Sequence, residues 1–326
     1  MRRLALALLL LSIGTTAHAQ TYLVVVHGIG GEPKFKDRFR ALSASLIDAA
    51  TNRYHIDWDR ISYLAESDTL PGASARSTKA NIERVFGELG ATVEADARIF
   101  VVLIGHGSAV SGSPVFQIPG PDISAQDFAA LLVPFATQEI VFIALSSASG
   151  GFIPVLSGPR RTIVTATKSD FERNETIFPI HFVAALAGDD ADIDQDERLS
   201  LSEAFLYARR EVERVYRQDN RLQTEHAMLD DNGDGEGTGE LSDTTLDGRS
   251  ARMMFFTDQE AVIAAVDDPD LARLLNQQRA LDEDLATLRA RKNEMAPDAY
   301  QSDLERILLE IARVGHAIRE REGAGT

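Results

Sequence analysis

The sequence contains no cysteine among its 326 residues. This absence excludes disulfides, zinc sites built from thiolates and every enzyme mechanism that needs a cysteine nucleophile. Basic residues are also scarce, since 33 lysines and arginines stand against 50 aspartates and glutamates, giving a net charge of −17. A chain of that charge repels phosphate groups, so we do not expect nucleic acid as a partner.

Long apolar runs are missing as well, and the N-terminus carries only a short one. Two arginines precede an apolar stretch at 4–13, and the small-residue sequence Ala17-His18-Ala19 follows it. The stretch is too short to span a bilayer, but this order of features is typical of a secretory signal peptide. We expect residues 1–19 to be removed and the mature chain to be secreted or periplasmic, without a membrane span.

From residue 20 to about 187 the sequence alternates strand patterns with helix patterns. Five apolar runs have the β-branched character of strands buried on both faces of a sheet: 22–26, 60–64, 99–104, 139–145 and 162–166. Apolar residues at helical spacing lie between them, at 39–47, 82–89 and 125–132. Repeated β–α units predict an α/β fold with a mainly parallel sheet covered by helices.

Two of these predicted strands end in motifs made of small residues. The third strand ends in G-H-G at 105–107, and glycines on both sides of a histidine allow a sharp turn that leaves the imidazole in a cleft. The fourth ends in S-S-A-S-G-G at 146–151, where a ligand can approach backbone N–H groups. Each motif alone is more simply interpreted as a plain turn. Function gathers at the carboxyl ends of parallel strands, so we expect the two motifs to meet.

Together, in this order and on successive strands, the motifs resemble the legumain and caspase superfamily of cysteine peptidases. That family places His-Gly after one strand and its catalytic cysteine, in an (Ala/Thr)-Cys-x-Ser-Gly context, after the next. The resemblance covers residues 20–216, and within the superfamily this segment is most similar to the bacterial legumain-like branch. It implies a caspase-like three-layer sandwich. It assigns the general base to His106 and the nucleophile position to Ser147, with backbone groups at Gly107, Ser149 and Gly150 facing the reacting oxygen.

The departure from the family is the serine at position 147, where the family has cysteine. A serine hydroxyl is far less acidic than a thiol and needs a well-aligned histidine that a carboxylate orients. We therefore expect a peptidase-like protein without proteolytic activity that binds a peptide or a protein. The alternative is an active serine peptidase that uses Ser147 and His106. Leu145 stands where legumain has an acid, which leaves an asparagine-specific pocket in doubt.

A second enzyme class is also compatible with the sequence. The segment H-G-I-G-G at 27–31 resembles the oxyanion loop of lipases with the α/β-hydrolase fold. In that interpretation Ser149 is the nucleophile, within S-x-S-x-G, and His181 or His226 follows it as the base. The late position of the strand that precedes Ser149 speaks against this alternative.

The acidic stretch 192–203 matches the twelve-residue EF-hand loop at almost every ligand position. The predicted ligands are oxygen atoms of Asp192, Asp194, Asp196, Arg198 (its carbonyl), Ser200 and Glu203. The loop departs from the pattern at Glu197, where a glycine is needed for the turn. The register favours calcium, and the competing interpretation is a capped helix start with acids at its N-terminus.

A second acidic stretch begins like such a loop, with D-x-N-x-D-G at 230–235, but has Leu241 at the twelfth position. We interpret it as a half-site at best, within an acidic, glycine-rich connector at 217–269.

Residues 270–322 repeat apolar side chains at 3–4 spacing on both sides of Pro297. This pattern predicts an antiparallel helical hairpin that packs on itself. Self-association through the hairpin, or a calcium-stabilised scaffold whose hairpin holds a partner, is the alternative role.

Overall fold

The structure is a computed structural model that describes residues 20–323 except 111, 196–197, 243–244, 258–262, 264–265, 267 and 292–294. The predicted signal peptide at 1–19 therefore lies outside the described residues. Within the described part, none of the helices is both long enough and apolar enough to pass through a bilayer.

The described chain contains ten strands. They are β1 (Thr21–His27), β2 (Ile61–Ala65), β3 (Ala75–Arg76), β4 (Arg98–Ile104), β5 (Gly107–Val110), β6 (Ser113–Phe116), β7 (Ile123–Ser124), β8 (Glu139–Leu145), β9 (Arg161–Thr165) and β10 (Met228–Asp230). Seven of them form the main sheet, in the order β10–β9–β8–β4–β1–β2–β3. All neighbouring pairs in this sheet are parallel except β9 with β10, so the predicted mainly parallel sheet is confirmed.

The remaining strands β5, β6 and β7 form a small antiparallel sheet in that order. The sequence patterns predicted β1, β2, β4, β8 and β9 but missed this small sheet, together with β3 and β10. These missed strands are two to four residues long. Segments this short show no periodicity of their own, and it is pairing in the folded chain that makes them strands.

Six helices of the described chain flank the main sheet. They are α1 (Pro33–Asp48), α2 (Lys79–Thr92), α3 (Ala125–Leu131), α4 (Ile153–Leu156), α5 (Phe178–Ala187) and α6 (Leu201–Gln218). Helices α1, α5 and α6 pack into the apolar cluster on one face, and α2, α3 and α4 into the cluster on the other. The molecule is therefore the expected three-layer α/β sandwich.

The alternation of side chains along β1 shows how one strand supports both layers. Leu23 and Val25 belong to the cluster of α1, α5 and α6, whereas Val24 and Val26 belong to the cluster of α2, α3 and α4. All four side chains are buried. A strand buried on both faces needs a continuous apolar run, which is the pattern that the sequence shows.

The C-terminal region forms the predicted hairpin of two helices, α7 (Pro269–Ala290) and α8 (Pro297–Gly323). The helices are antiparallel, because Arg321 near the end of α8 forms ion pairs with Asp268 and Asp270 at the start of α7. Pro297 is the first residue of α8, where its missing N–H costs nothing. Self-association through the hairpin stays a prediction.

Candidate functional site

The two motifs meet at the carboxyl edge of the main sheet, as the sequence predicted. The last residues of β4 and β8, Ile104 and Leu145, are paired in register. His106 and Ser147 each follow two residues later and line one small pocket. Gly107 permits this approach, since a Cβ at that position would lie 2.2 Å from the carbonyl oxygen of Ser147.

The hydroxyl of Ser147 is bound to the backbone and not to the histidine. Its Oγ donates to the carbonyl oxygen of Gly107 at 2.9 Å and lies 3.4 Å from the N–H of the same residue. In the described residues no hydrogen bond joins this hydroxyl to the His106 ring. The contact that would activate a serine nucleophile is therefore not formed.

The ring of His106 is half-buried between two aromatic side chains of α1. It packs edge-on against Phe35, with centroids 4.6 Å apart, and against Phe39 at 4.9 Å. Burial lowers the pKa of His106 below its usual value, and a hydrogen bond with the backbone of Gly30 offsets this only in part. The imidazole is accordingly neutral near pH 7, and its hydrogen bond goes to the backbone, not to a carboxylate.

The pocket wall contains residues that no motif in the sequence singled out. Phe35, Phe39 and Pro179 give it an apolar surface, and an ion pair between Arg38 and Glu175 lies at its edge. The pocket volume is about 20 Å³. That is room for about one water molecule, so the pocket as it stands admits only a small group.

The serine motif turns back into the core directly after Ser147. Ala148 adopts a left-handed conformation, with a φ of 55°, and its N–H donates to the carbonyl oxygen of Glu172 at 2.8 Å. The next residue, Ser149, is fully buried and accepts hydrogen bonds from the N–H groups of Ala166 and Thr167. This serine joins the chain after β8 to the chain after β9.

The expected oxyanion groups are only partly available. The N–H of Gly150 donates to Oγ1 of Thr167 at 3.0 Å, and the Ser149 side chain lies in the core, so neither fits the predicted role. The N–H of Gly107 faces Oγ of Ser147 and does line the site. The chain reverses at Ala148, which turns the polar groups of Gly150 and Ser149 toward the chain after β9, and their role at the site stays a prediction.

The α/β-hydrolase interpretation does not fit the geometry either. Its nucleophile, Ser149, is sealed in the core, and the H-G-I-G-G segment begins at a histidine that is 1% exposed. Nδ1 of that residue, His27, lies 3.1 Å from the hydroxyl of Tyr63, and burial lowers its pKa to about 4. His226 pairs with Glu172 at 2.6 Å. His27 and Ser149 are therefore part of the packing, whereas the His226 side chain is 40% exposed and contacts Glu172.

The acidic loop at 192–203 brings three of its predicted ligands together. Carboxylate oxygens of Asp192, Asp194 and Glu203 lie within 4.8 Å of one another. Asp196 and the turn residue Glu197 lie outside the described residues. Oxygen donors of this kind suit calcium, but the hydrogen bonds of Glu203 also match the competing interpretation.

Both oxygens of Glu203 already accept hydrogen bonds from the loop itself. Oε1 accepts from the N–H groups of Ile193 and Asp194, and Oε2 accepts from the N–H and the hydroxyl of Ser200. Ser200 is the N-cap of α6 and forms a capping box with Glu203. The Arg198 side chain forms an ion pair with Asp282 of α7 at 2.6 Å. Calcium binding by this loop stays a prediction.

Comparison with known proteins adds a likeness of fold. No family model matches the chain, and no curated protein matches it. Among solved structures, the chain is similar to caspase-1 from Spodoptera frugiperda, with 10% sequence identity and a TM-score of 0.43. The likeness covers 66% of this chain and 88% of that one.

Proposed function

We propose that this peptidase-like protein binds an extended peptide, or an extended segment of a protein, beside His106 and Ser147 without hydrolysing it. One observation carries the absence of hydrolysis: the Ser147 hydroxyl donates to the Gly107 carbonyl and not to the imidazole. The order of the two motifs along the chain, and their meeting at the carboxyl edge of the sheet, support the peptidase-like scaffold.

The surroundings of the histidine also argue against catalysis. A serine needs a base that a carboxylate holds in the right orientation. Glu175, a carboxylate that lines the pocket, forms an ion pair with Arg38. The two phenylalanines of α1 hold the ring of His106, and raising its basicity would require moving them. Neither residue of the dyad is therefore prepared for proton transfer.

Strand β5 offers the backbone on which a peptide can align. It lies at the edge of the small sheet and starts one residue after His106. Residues of an antiparallel strand alternate between facing their partner strand and facing away. The carbonyl of His106 faces β6, since it accepts from the N–H of Gln117 at 2.9 Å, so Gly107 and Ala109 face away from β6.

A peptide that adds a strand along this edge would gain main-chain hydrogen bonds from Ala109 and pass His106 and Ser147. It would displace the Ser147 hydroxyl from Gly107. The small apolar pocket then selects a small side chain at that point of the peptide. Because the chain has a net charge of −17, long-range attraction favours a peptide of positive charge.

Two measurements test this proposal on the mature chain. Labelling with a fluorophosphonate probe should give no signal that depends on Ser147, with Ser147→Ala as the comparison. A fluorescent random peptide library should then yield binders whose affinity is measured by anisotropy. The variant Ala109→Pro removes the outward N–H while leaving the bonds to β6, and should weaken binding at least tenfold.

The matched control is Val110→Thr, which changes an exposed side chain of the same strand. It should bind like the wild type, and both variants should keep its melting temperature. Labelling or peptide cleavage that disappears with Ser147→Ala and His106→Ala would overturn the proposal in favour of an active serine peptidase. Binding that survives Ala109→Pro would place the peptide elsewhere.

A further inference from the structure

A second acidic loop, comprising residues 230–236 and here called the Asp230 loop, begins at the last residue of β10. Two hydrogen bonds between the backbones of Leu229 and Thr238, both 2.8 Å long, close its base. Gly233 and Gly235 have φ values of 81° and 80°, a conformation that favours glycine. The loop is therefore a compact turn held at one edge of the sheet.

Side-chain oxygens in this loop accept hydrogen bonds from backbone groups two or three residues further on. Oδ1 of Asp230 accepts from Gly233 at 3.0 Å, and Oδ1 of Asp234 accepts from Glu236 at 2.7 Å. Asn232 accepts from the N–H of Asp234 at 2.8 Å. Asp230, Asn232 and Asp234 occupy positions 1, 3 and 5 of the D-x-N-x-D-G pattern, whose sixth position is Gly235.

The second oxygen of Asp230 is the observation that points to a ligand. Asp230 is fully buried, and its Oδ2 has no hydrogen-bond partner among the described residues. A buried polar atom without a partner is costly, and native structures contain few of them. A cation bound at the loop would satisfy this oxygen, whose carboxyl group already faces the loop through Oδ1.

Asp247 supplies an acid that the sequence pattern lacks. It is 4% exposed, and its Oδ1 accepts from the N–H of Asp231 at 3.1 Å. The residue after Asp230 thus holds the Asp247 carboxylate beside the loop, although Asp247 lies six positions beyond the twelfth position of the pattern.

Asp231 fixes the segment that carries Asp247 against the loop. Its Oδ1 accepts from the N–H of Gly248 and its Oδ2 from the N–H of Ala251, both at 2.8 Å. Both carboxylate oxygens of Asp231 thus hold the segment 247–251 in place. The neighbouring residue, Asp230, has an oxygen without a hydrogen-bond partner, so the two acids have different roles.

We propose that the Asp230 loop binds a calcium ion through oxygens of Asp230, Asn232, Asp234 and Asp247, with the carbonyl of Glu236 as a further ligand. Carboxylate, amide and carbonyl oxygens form the ligand set that calcium prefers. Within the described part of the chain, the only acidic group with oxygens as close as 4.8 Å is the one at Asp192, Asp194 and Glu203. The carboxylate oxygens of the Asp230 loop and Asp247 are farther apart than this, so the proposed calcium ion would draw them together.

Calorimetric titration of the chelator-treated mature chain with calcium chloride tests the proposal. We expect a dissociation constant of about 10⁻⁴ to 10⁻³ M, the range of extracellular calcium modules. Asp234→Asn changes an exposed side chain and should weaken this binding at least tenfold. Asp122→Asn, an exposed acid outside the loop, is the matched control and should leave the affinity unchanged.

The variant Asp192→Asn distinguishes calcium binding at the Asp230 loop from calcium binding at the 192–203 loop. Binding that persists in Asp192→Asn and is lost in Asp234→Asn supports the assignment to the Asp230 loop. Asp247→Asn provides a second variant, and thermal unfolding without calcium confirms that each variant is folded. No heat of binding up to about 10 mM calcium, or binding that Asp234→Asn and Asp247→Asn both leave intact, overturns the proposal.

Discussion

The carboxyl edge of the sheet holds two histidine–serine pairs with opposite environments. His27 and Ser149 are sealed in the core, whereas His106 and Ser147 line the pocket. The sequence placed all four residues in catalytic motifs: His27 begins the lipase-like oxyanion segment and Ser149 is the nucleophile of that alternative, whereas His106 and Ser147 form the legumain-like dyad. Their difference teaches that lying near a strand end does not make a residue accessible.

Two local features separate the pairs. His27 is the last residue of β1 and is paired with Ile104, so His106 lies two residues beyond it at the sheet edge. On the serine side, the positive φ of Ala148 reverses the chain and sends Ser149 back toward β9. His106 and Ser147 lie beyond the strand ends and before the reversal, so they reach the pocket. His27 lies within its strand and Ser149 after the reversal, so both are buried in the core.

The largest expected difference between the two pairs is the effect of His27 protonation on the free energy of unfolding. Burial lowers its pKa from 6.5 to about 4, so between these values the unfolded chain binds a proton that the folded chain does not. Stability is therefore lost as the pH falls through this window, by about 3 kcal/mol for the full shift. His27→Gln should abolish that part of the pH dependence in urea unfolding.

The control for that experiment is His316→Gln, because the His316 side chain is 68% exposed. Its unfolding should follow the wild type at every pH. A pH dependence that is the same in His27→Gln and in the wild type would mean that His27 is not the buried neutral group described above.

The two serines should differ next in their contribution to the free energy of unfolding. Ser149→Ala leaves the N–H groups of Ala166 and Thr167 without their acceptor in the core, which should cost about 2 kcal/mol. Ser147→Ala removes a bond to Gly107 at the pocket, where water can replace it, and should cost less than about 1 kcal/mol. Equal losses in denaturant titrations would contradict the division into a core serine and a pocket serine.

The smallest expected difference is the response of the two histidine pKa values to the loss of Phe35. Phe35→Ala removes one of the aromatic rings that bury His106, so the pKa of His106 should rise toward its usual value. The pKa of His27, whose ring packs against Phe39 and Tyr63, should stay where it is. Titration followed by NMR measures both in one sample, and an unchanged pKa of His106 would show that Phe35 does not cause its burial.

Much of the fold could be predicted because its main elements carry strong patterns. The apolar runs of β1, β4 and β8 and the repeat on both sides of Pro297 each identify one element without reference to the rest. The meeting of His106 with Ser147 could also be predicted, since parallel strands present their ends at one edge.

The remainder depends on contacts that the sequence does not announce. Alanine at 148 gives no sign of a left-handed conformation, so the burial of Ser149 could not be foreseen. Phe35 carries no motif and lines the pocket only because α1 packs over the strand ends. At Glu203, ligand and capping roles require the same residue type, and only the folded chain shows which hydrogen bonds the carboxylate accepts.

The edges of the main sheet bear on the solubility of the protein. An open strand edge can template the pairing of further chains, and long apolar strands at an edge promote aggregation. Here the edge strands are β3, two residues long, and β10, three residues long, while the long apolar strands β1, β4 and β8 lie inside. The main sheet is thus poorly suited to grow by self-assembly, whereas the proposed peptide would pair with β5, an edge strand of the small sheet.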